Sequence, residues 1–129
     1  MSKSNSTEER VVQHVLYRVP KKNHDAMLWL CKEAEGIIKE SGVLRHELFQ
    51  LNNTDVPGEG FTNIASTVSA KIDEEVWIES IYYRDRQHME EVIAKMAKDE
   101  RCERSYKQSL ELLPSGVKFI TGGFDRLIV

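Results

Sequence analysis

The sequence predicts an α+β domain built on the ferredoxin-like β-α-β-β-α-β unit. Two observations predict it: the order of strand-like and helix-like segments along the chain, and strands that are apolar on both faces. A third is length, because 129 residues suit one domain with two packed layers of secondary structure. Residues 1–9 are rich in Ser, Asn and charge, so we expect a disordered tail there and a single domain over residues 10–129.

The domain begins with a predicted strand followed by a helix. Residues 10–19 are rich in β-branched and aromatic types, and Pro20 ends the strand. Asn23 is expected to cap a helix whose apolar side chains recur at helical spacing until Gly42 ends it. The next segment, residues 43–51, predicts the second strand.

The middle of the chain contains a loop, a weak strand signal and the strongest strand. Residues 52–60 hold every turn-favouring residue type, and residues 61–70 lean weakly towards strand. Residues 76–83 are almost continuously β-branched, aromatic or apolar. Asp85 is a good N-cap for the helix that follows, and Asp99 is expected to begin an extra short helix before the last strand.

The last predicted element is a strand over residues 117–129, which follows the helix-breaking segment Pro114–Gly116. Gly122 and Gly123 lie in the middle of that strand. They do not form a phosphate loop, because the Gly-x-Gly-x-x-Gly spacing is absent and no helix follows. We interpret them as a bulge or a close approach of two backbones.

Charge and cysteine content exclude several classes of function. Lys and Arg number 18 and Asp and Glu 21, which gives a formal net charge of −3, so neither a nucleic acid nor an anionic membrane is an expected partner. No apolar run is long enough to cross a bilayer, and no signal peptide is evident, so we expect a cytoplasmic protein. Cys31 and Cys102 are expected to be buried or half-buried free thiols.

Counting apolar side chains on each face of the sheet predicts a homodimer. In the strongest strand both alternating sets are largely apolar: Trp77, Glu79, Ile81 and Tyr83 on one face, and Val76, Ile78, Ser80 and Tyr82 on the other. The two main helices can cover only one face. Apolar surface left in water costs about 25 cal/mol per Å², so an exposed second face would cost many kcal/mol. We expect a second copy to cover it; the alternative is a monomer closed by residues 52–70 and the extra helix.

Three segments carry a resemblance to a known family: Val19–Asn23, Ile78–Arg101 and Phe119–Phe124. Together they resemble the YbaA-like family of domain of unknown function 1428. The resemblance implies a dimeric α+β barrel and brings no established activity. Its wider superfamily includes antibiotic-biosynthesis monooxygenases, haem-degrading enzymes and purely regulatory or structural dimers. The chain departs from the family pattern at Leu113–Lys118 and at Arg84, where the family commonly has proline.

Two residues are candidates for catalysis. Glu79 lies in an otherwise apolar strand, and a carboxylate buried without a partner is costly, so we expect Arg45, Arg18, a histidine or water beside it. In a pocket it could act as a general base; the alternative is a structural, salt-bridged glutamate. His88, at the start of a helix, is the second candidate.

The candidate ligand-binding residues are aromatic and lie in or near the strands. They are Trp77, Tyr82, Tyr83, Phe124 and His46, which could line an apolar cavity between sheet and helices; the alternative is that they are ordinary core. The four histidines lack ligand spacing such as His-x-x-x-His, so we predict no metal site, and we predict no cofactor.

These observations favour a small homodimer that binds a small molecule or serves a structural role. The alternative is a cofactor-independent, monooxygenase-like enzyme acting on an aromatic substrate in the cavity between sheet and helices. Fold analogy alone does not choose between the two.

Overall fold

The computed structural model describes residues 8–129. Its elements, in chain order, are β1 (Val11–Pro20), a 3-10 turn (Lys21–Asn23), α1 (His24–Glu40), β2 (Arg45–Gln50), α2 (Ile64–Thr67), β3 (Glu74–Tyr83), α3 (Arg86–Ala97), α4 (Glu100–Leu112) and β4 (Ile120–Asp125). The strands form one antiparallel sheet in the order β2-β3-β1-β4. The predicted α+β class with a ferredoxin-like arrangement is confirmed.

The sheet register places side chains from different strands side by side. Glu79 of β3 pairs with Val15 of β1 on one side and Leu48 of β2 on the other, and Val15 pairs in turn with Thr121 of β4. Because paired residues point to the same face, this row lies on the side that α1 packs against. The central position of β3 therefore puts Glu79 near the middle of the layer between sheet and helices.

The core lies between the sheet and the helices in two clusters. Tyr17, Val19 and Trp77 of the sheet pack against Met27 and Leu30 of α1, and all five side chains are buried. The second cluster contains Val11, Ile81, Tyr83 and Val92. The alternation predicted for β3 is therefore correct, since its odd-numbered residues face the helices, and β1 follows the same pattern.

The opposite side of the sheet, which we call the open face, is apolar and partly exposed. Its apolar and aromatic members are Val12, Leu16, Phe49, Ile78, Tyr82, Ile120 and Phe124. Phe49, Ile120 and Phe124 are 50%, 46% and 53% exposed. Within segment 52–70, Ile64 of α2 lines a shallow groove at this face together with Phe49 and Val76.

Both aspartates predicted as helix caps act as caps. The Asp85 side chain accepts a hydrogen bond from the His88 amide at 2.8 Å, and the Asp99 side chain accepts one from the Arg101 amide at 2.9 Å. Gly42, at the turn after α1, has a φ of +105°, a conformation that favours glycine. The sequence signals for these two helix starts were sufficient because each capping side chain accepts from an amide only two or three residues away.

Four local predictions need correction. Residues 61–70 hold the short helix α2 instead of a strand, because the Asn63 side chain accepts from the Ser66 amide and starts a helical turn. Asn23 does not cap α1 with its side chain, since its amide nitrogen donates to the Leu112 carbonyl at 2.7 Å. The last strand covers only Ile120–Asp125, and α4, the helix before it, has 13 residues and is not short.

The predicted tail requires a further correction at its end. Residues 1–7 lie outside the described part of the chain, but Glu9 is buried and is held by Arg45 at 2.9 Å. The Arg126 side chain also donates to the Glu9 carbonyl at 2.7 Å. Glu9 therefore belongs to the folded domain. None of the helices described over residues 8–129 has the length and hydropathy needed to cross a membrane.

Candidate functional site

A cavity of about 240 Å³ lies between the helix-facing side of the sheet and helices α1 and α4. Its apolar lining comprises Met27, Leu30, Ala34, Ile37, Ile38, Met96 and Phe119. Its polar lining comprises Tyr17, Cys31, His46, Glu79, Cys102, Ser105, Tyr106 and Ser109. A mostly apolar cavity with a few polar groups grouped together is typical of a small-molecule site.

Glu79 is the centre of the polar group. The Tyr17 hydroxyl donates to Oε2 of Glu79 at 2.8 Å, and Nε2 of His46 donates to Oε1 at 2.9 Å. Both partners come from neighbouring strands, where they lie diagonally across from Glu79 in the sheet register. Of the partners expected from the sequence, the histidine is therefore correct. The two arginines are elsewhere, since Arg45 pairs with Glu9 and Arg18 with Glu74.

His46 lies between two carboxylates. Its Nδ1 is 2.8 Å from Oε1 of Glu35 on α1, and its other ring nitrogen contacts Glu79, so both nitrogens donate when the ring is charged. Burial lowers the pKa of His46, but hydrogen bonds to Glu79 and Glu35 and their charges outweigh it, and the net pKa is raised. The arrangement therefore stabilises an imidazolium. We call Glu35, His46 and Glu79 the inner triad.

Tyr17, Cys31 and Cys102 of the cavity wall stay neutral. Burial, followed by the charge of Glu79, raises the pKa of Tyr17 above its ordinary value. Burial and the same carboxylate raise the pKa of Cys31 to about 11, and burial raises the pKa of Cys102. Both cysteines are half-buried and free, as expected from the sequence. At neutral pH they are thiols, so neither has the thiolate character of a nucleophile.

His88, the second catalytic candidate, does not line this cavity. Its Nδ1 accepts from the Arg84 amide at 2.9 Å, and its Nε2 donates to the Gly42 carbonyl at 2.9 Å. The ring is buried against Tyr83, with centroids 5.9 Å apart. Both nitrogens bind backbone groups, so His88 joins the start of α3 to the turn after α1.

Two predicted ligand-binding aromatics lie in the core outside the cavity. The indole nitrogen of Trp77 donates to Glu75 at 2.9 Å, and the Tyr83 hydroxyl donates to Gln13 at 3.2 Å. Both side chains are almost completely buried. They match the interpretation as ordinary core that the sequence left open.

Two other predicted aromatics lie on the open face. The guanidinium carbon of Arg45 lies 4.0 Å from the centroid of the Tyr82 ring, and the Phe124 ring lies 5.2 Å from that of His14. Tyr82 and Phe124 therefore cannot share a cavity with Glu79. Of the candidate residues, the structure brings only Glu79 and His46 together.

Sequence reasoning missed most of the cavity wall. Glu35, 11 residues before His46, and Tyr17, 62 residues before Glu79, contact the predicted pair, and no local pattern marks either contact. The α4 wall did have a sequence signal, since Cys102, Ser105, Tyr106 and Ser109 recur at i, i+3, i+4 and i+7 and form one polar stripe of the helix.

Two of the histidines, His14 on β1 and His46 on β2, are separated by β3 in the sheet. Within residues 8–129, no three His, Cys, Asp or Glu side chains are placed to hold a metal ion.

Comparison with known proteins supports this fold and identifies a family. The family model described as "Protein of unknown function (DUF1428)" matches residues 10–112. No curated protein sequence matches the chain.

Several solved structures share the fold at low sequence identity. A crystal structure of an antibiotic biosynthesis monooxygenase is 13% identical, with 92% of this chain and 99% of that chain covered and a TM-score of 0.57. A mutant of SnoaB, a cofactor-independent oxygenase from Streptomyces nogalater, is 12% identical, with 93% and 96% covered and a TM-score of 0.54. A dimeric ferredoxin-like protein from an uncultured marine organism is 9% identical, with 92% and 95% covered and a TM-score of 0.56.

Proposed function

Because the chain belongs to the DUF1428 family, whose description assigns no activity, we propose a function from the site itself: the protein binds a small, largely apolar molecule in the cavity. The observation that carries this proposal is the presence of Glu79, His46 and Tyr17 together in a cavity whose surface is mostly apolar. The apolar wall would bury the body of a ligand, and the carboxylate would orient it. The YbaA-like designation stays a prediction, as does the cytosolic location, which two free cysteines support.

Filling the cavity tests this proposal. The neutral probe 3-phenylpropanol should bind the protein and raise its melting temperature, measured by calorimetry and thermal shift. Ala34→Phe places a ring in the cavity and should abolish binding without unfolding the protein. Ala94→Phe, at an exposed position of α3, is the matched control and should bind normally. Binding that survives Ala34→Phe would place the ligand elsewhere.

We also propose that the protein is a homodimer joined through the open face. Two rows of side chains cross all four strands: Phe49, Ile78, Leu16 and Ile120 form one, and Arg45, Tyr82, Val12 and Phe124 form the other. Each row carries apolar groups across the sheet, with the polar row Glu47, Ser80, His14 and Gly122 between them, and a second copy of the same face would bury these apolar groups symmetrically. One solved neighbour is described as dimeric, which is consistent with this assembly.

Light scattering after size exclusion tests the assembly. We expect about 30 kDa, twice the 14.9 kDa of one chain. Phe49→Lys should shift the protein towards the monomer, because it puts a charge in the first apolar row. Ile72→Lys changes a side chain that is 94% exposed and should leave the mass unchanged. A wild-type mass of 15 kDa at tens of micromolar would rule out this dimer.

A second candidate function is cofactor-independent oxygenation of an aromatic substrate, and the inner triad favours it. A separate groove lined by Lys32, Glu35 and His46 lies on the other side of the triad, where the Glu35 side chain is 35% exposed. Glu79 could accept a proton from a substrate in the cavity, and His46 could pass a proton towards Glu35. The substrate anion would then reduce O₂, converting a CH₂ group and O₂ to a carbonyl group and water.

An oxygen electrode tests this second candidate with anthrone, an aromatic compound that has such a CH₂ group. The protein should accelerate oxygen uptake and anthraquinone formation, and Glu79→Gln should reduce the rate by about 100-fold or more. Glu33→Gln removes an exposed carboxylate of α1 outside the cavity and should leave the rate unchanged. Equal rates for wild type and Glu79→Gln would exclude Glu79 as the base.

A further inference from the structure

The inner triad places the Glu79 carboxylate in the cavity wall and a second carboxylate, Glu35, behind the wall. Glu35 and Glu79 together carry two negative charges when ionised, and the imidazolium of His46 balances one of them. Among the lining residues in the described part of the chain there is no Lys or Arg. In the described wall, a ligand group that reaches Glu79 therefore meets a carboxylate whose neighbouring cation is His46, a cation that Glu79 shares with Glu35.

Glu79 retains capacity to accept further hydrogen bonds. His46 and Tyr17 donate one bond each to its two oxygens, whereas an ionised carboxylate offers about four acceptor positions. The side chain is 23% exposed, so it is accessible from the cavity. The Glu79 carboxylate accepts hydrogen bonds from a ligand and donates none. It therefore favours a ligand that carries a hydrogen-bond donor and disfavours a ligand that carries a carboxylate.

The aromatic wall adds a second attraction for a cation. Tyr17, Phe119 and Tyr106 all line the cavity, and the Phe119 ring lies 5.4 Å from that of Tyr17 and 6.0 Å from that of Tyr106. An ammonium group is attracted to the faces of such rings, and the attraction strengthens when water is excluded. Carboxylate and aromatic rings together form the two parts of an amine-recognition site.

We propose that the cavity selects molecules with a protonated amine on an apolar, aromatic body and discriminates against carboxylates of the same shape. This inference rests on the proposed small-molecule function and gives its ligand class. The Glu79 carboxylate binds the ammonium group, and the apolar side chains of α1 pack against the rest of the molecule.

Three probes of matched shape test the proposal: 3-phenylpropylamine, 3-phenylpropanol and 3-phenylpropanoate, measured by calorimetry at pH 7. The amine should bind at least about tenfold more tightly than the carboxylate, with the alcohol between them. Glu79→Gln keeps the side-chain size and removes the charge, so it should abolish most of this difference. Glu33→Gln should preserve it, since Glu33 is exposed and lies outside the cavity.

A second variant keeps the test decisive if Glu79→Gln does not fold. Ser105→Lys adds a cation to the α4 wall and leaves the triad unchanged, so it should weaken amine binding and strengthen carboxylate binding. Equal affinities for all three probes in the wild type would overturn the amine preference and leave the cavity proposal intact. Absence of binding by any probe would overturn both.

Discussion

Two neighbouring residues of β2 hold two ion triads on opposite faces of the sheet. His46 points towards the helices and joins the inner triad, while Arg45 points to the open face. There Arg45 lies between Glu9 and Glu47 at 2.9 and 2.8 Å, and we call these three residues the outer triad. The geometry is the same in both: one cation between two carboxylates.

The two triads differ in their surroundings and in the chemistry of the cation. In a single chain the side chain of His46 is 6% exposed and that of Arg45 is 42% exposed, so water reaches the cation of the outer triad more easily, although Glu9 beside it is buried. A guanidinium keeps its proton at any physiological pH, whereas an imidazole can lose it. The comparison teaches that the inner triad is the one able to exchange protons with a ligand, and that the outer triad is a fixed charge.

The largest expected effect comes from removing the cation of the inner triad. His46→Ala leaves Glu35 and Glu79 facing each other across the space that the imidazole ring occupied. It should lower the free energy of unfolding by about 2–4 kcal/mol. Urea denaturation measures this change. A loss below about 1 kcal/mol would show that solvent screens the inner triad as strongly as it screens an exposed ion pair. The two triads would then not differ in their contribution to stability.

A pH titration should separate the two triads next. The pKa of His46 is raised in the folded state, so its stabilising contribution is complete below the unfolded value near 6.5 and is lost as pH rises through the folded value. Wild-type stability should therefore fall with pH in that window, by at most about 1.4 kcal/mol per pH unit for one proton.

A matched pair of variants assigns this pH dependence to its source. His46→Gln should remove the part of the pH dependence of the free energy of unfolding that His46 contributes. His24→Gln serves as the comparison, because a hydrogen bond to Glu75 also raises the pKa of His24. NMR titration of the imidazole signals gives both values directly. A His46 signal that titrates below the ordinary value would contradict the assigned imidazolium.

The smallest effect is expected in the outer triad. In dilute, monomeric protein, Glu47→Gln should lower the free energy of unfolding by only about 0.5–1 kcal/mol, because the Arg45–Glu47 pair is partly solvated. The loss should shrink further at 1 M salt. Denaturation of wild type and variant at two salt concentrations measures it, and a salt-independent loss above 2 kcal/mol would make the outer triad equivalent to the inner one.

The sequence predicted the elements well and the site only in part, for a physical reason. Periodicity and capping depend on nearby residues, so the helices and strands were accessible to inspection. Glu79 was identifiable because a carboxylate in an apolar strand needs a partner. The choice of His46 over Arg45 depends on the β2–β3 register, and the contribution of Glu35 depends on how α1 crosses the sheet. Neither follows from local pattern.

The position of α4 has a consequence for how this scaffold can diversify. Cys102, Ser105, Tyr106 and Ser109 face the cavity from a helix that packs chiefly along α1, while the sheet carries the cations of both triads and the open face. Substitutions at these four positions alter the size and polarity of the cavity without changing strand pairing. Proteins with this fold can therefore acquire new ligands through substitutions in one helix, while the sheet stays unchanged.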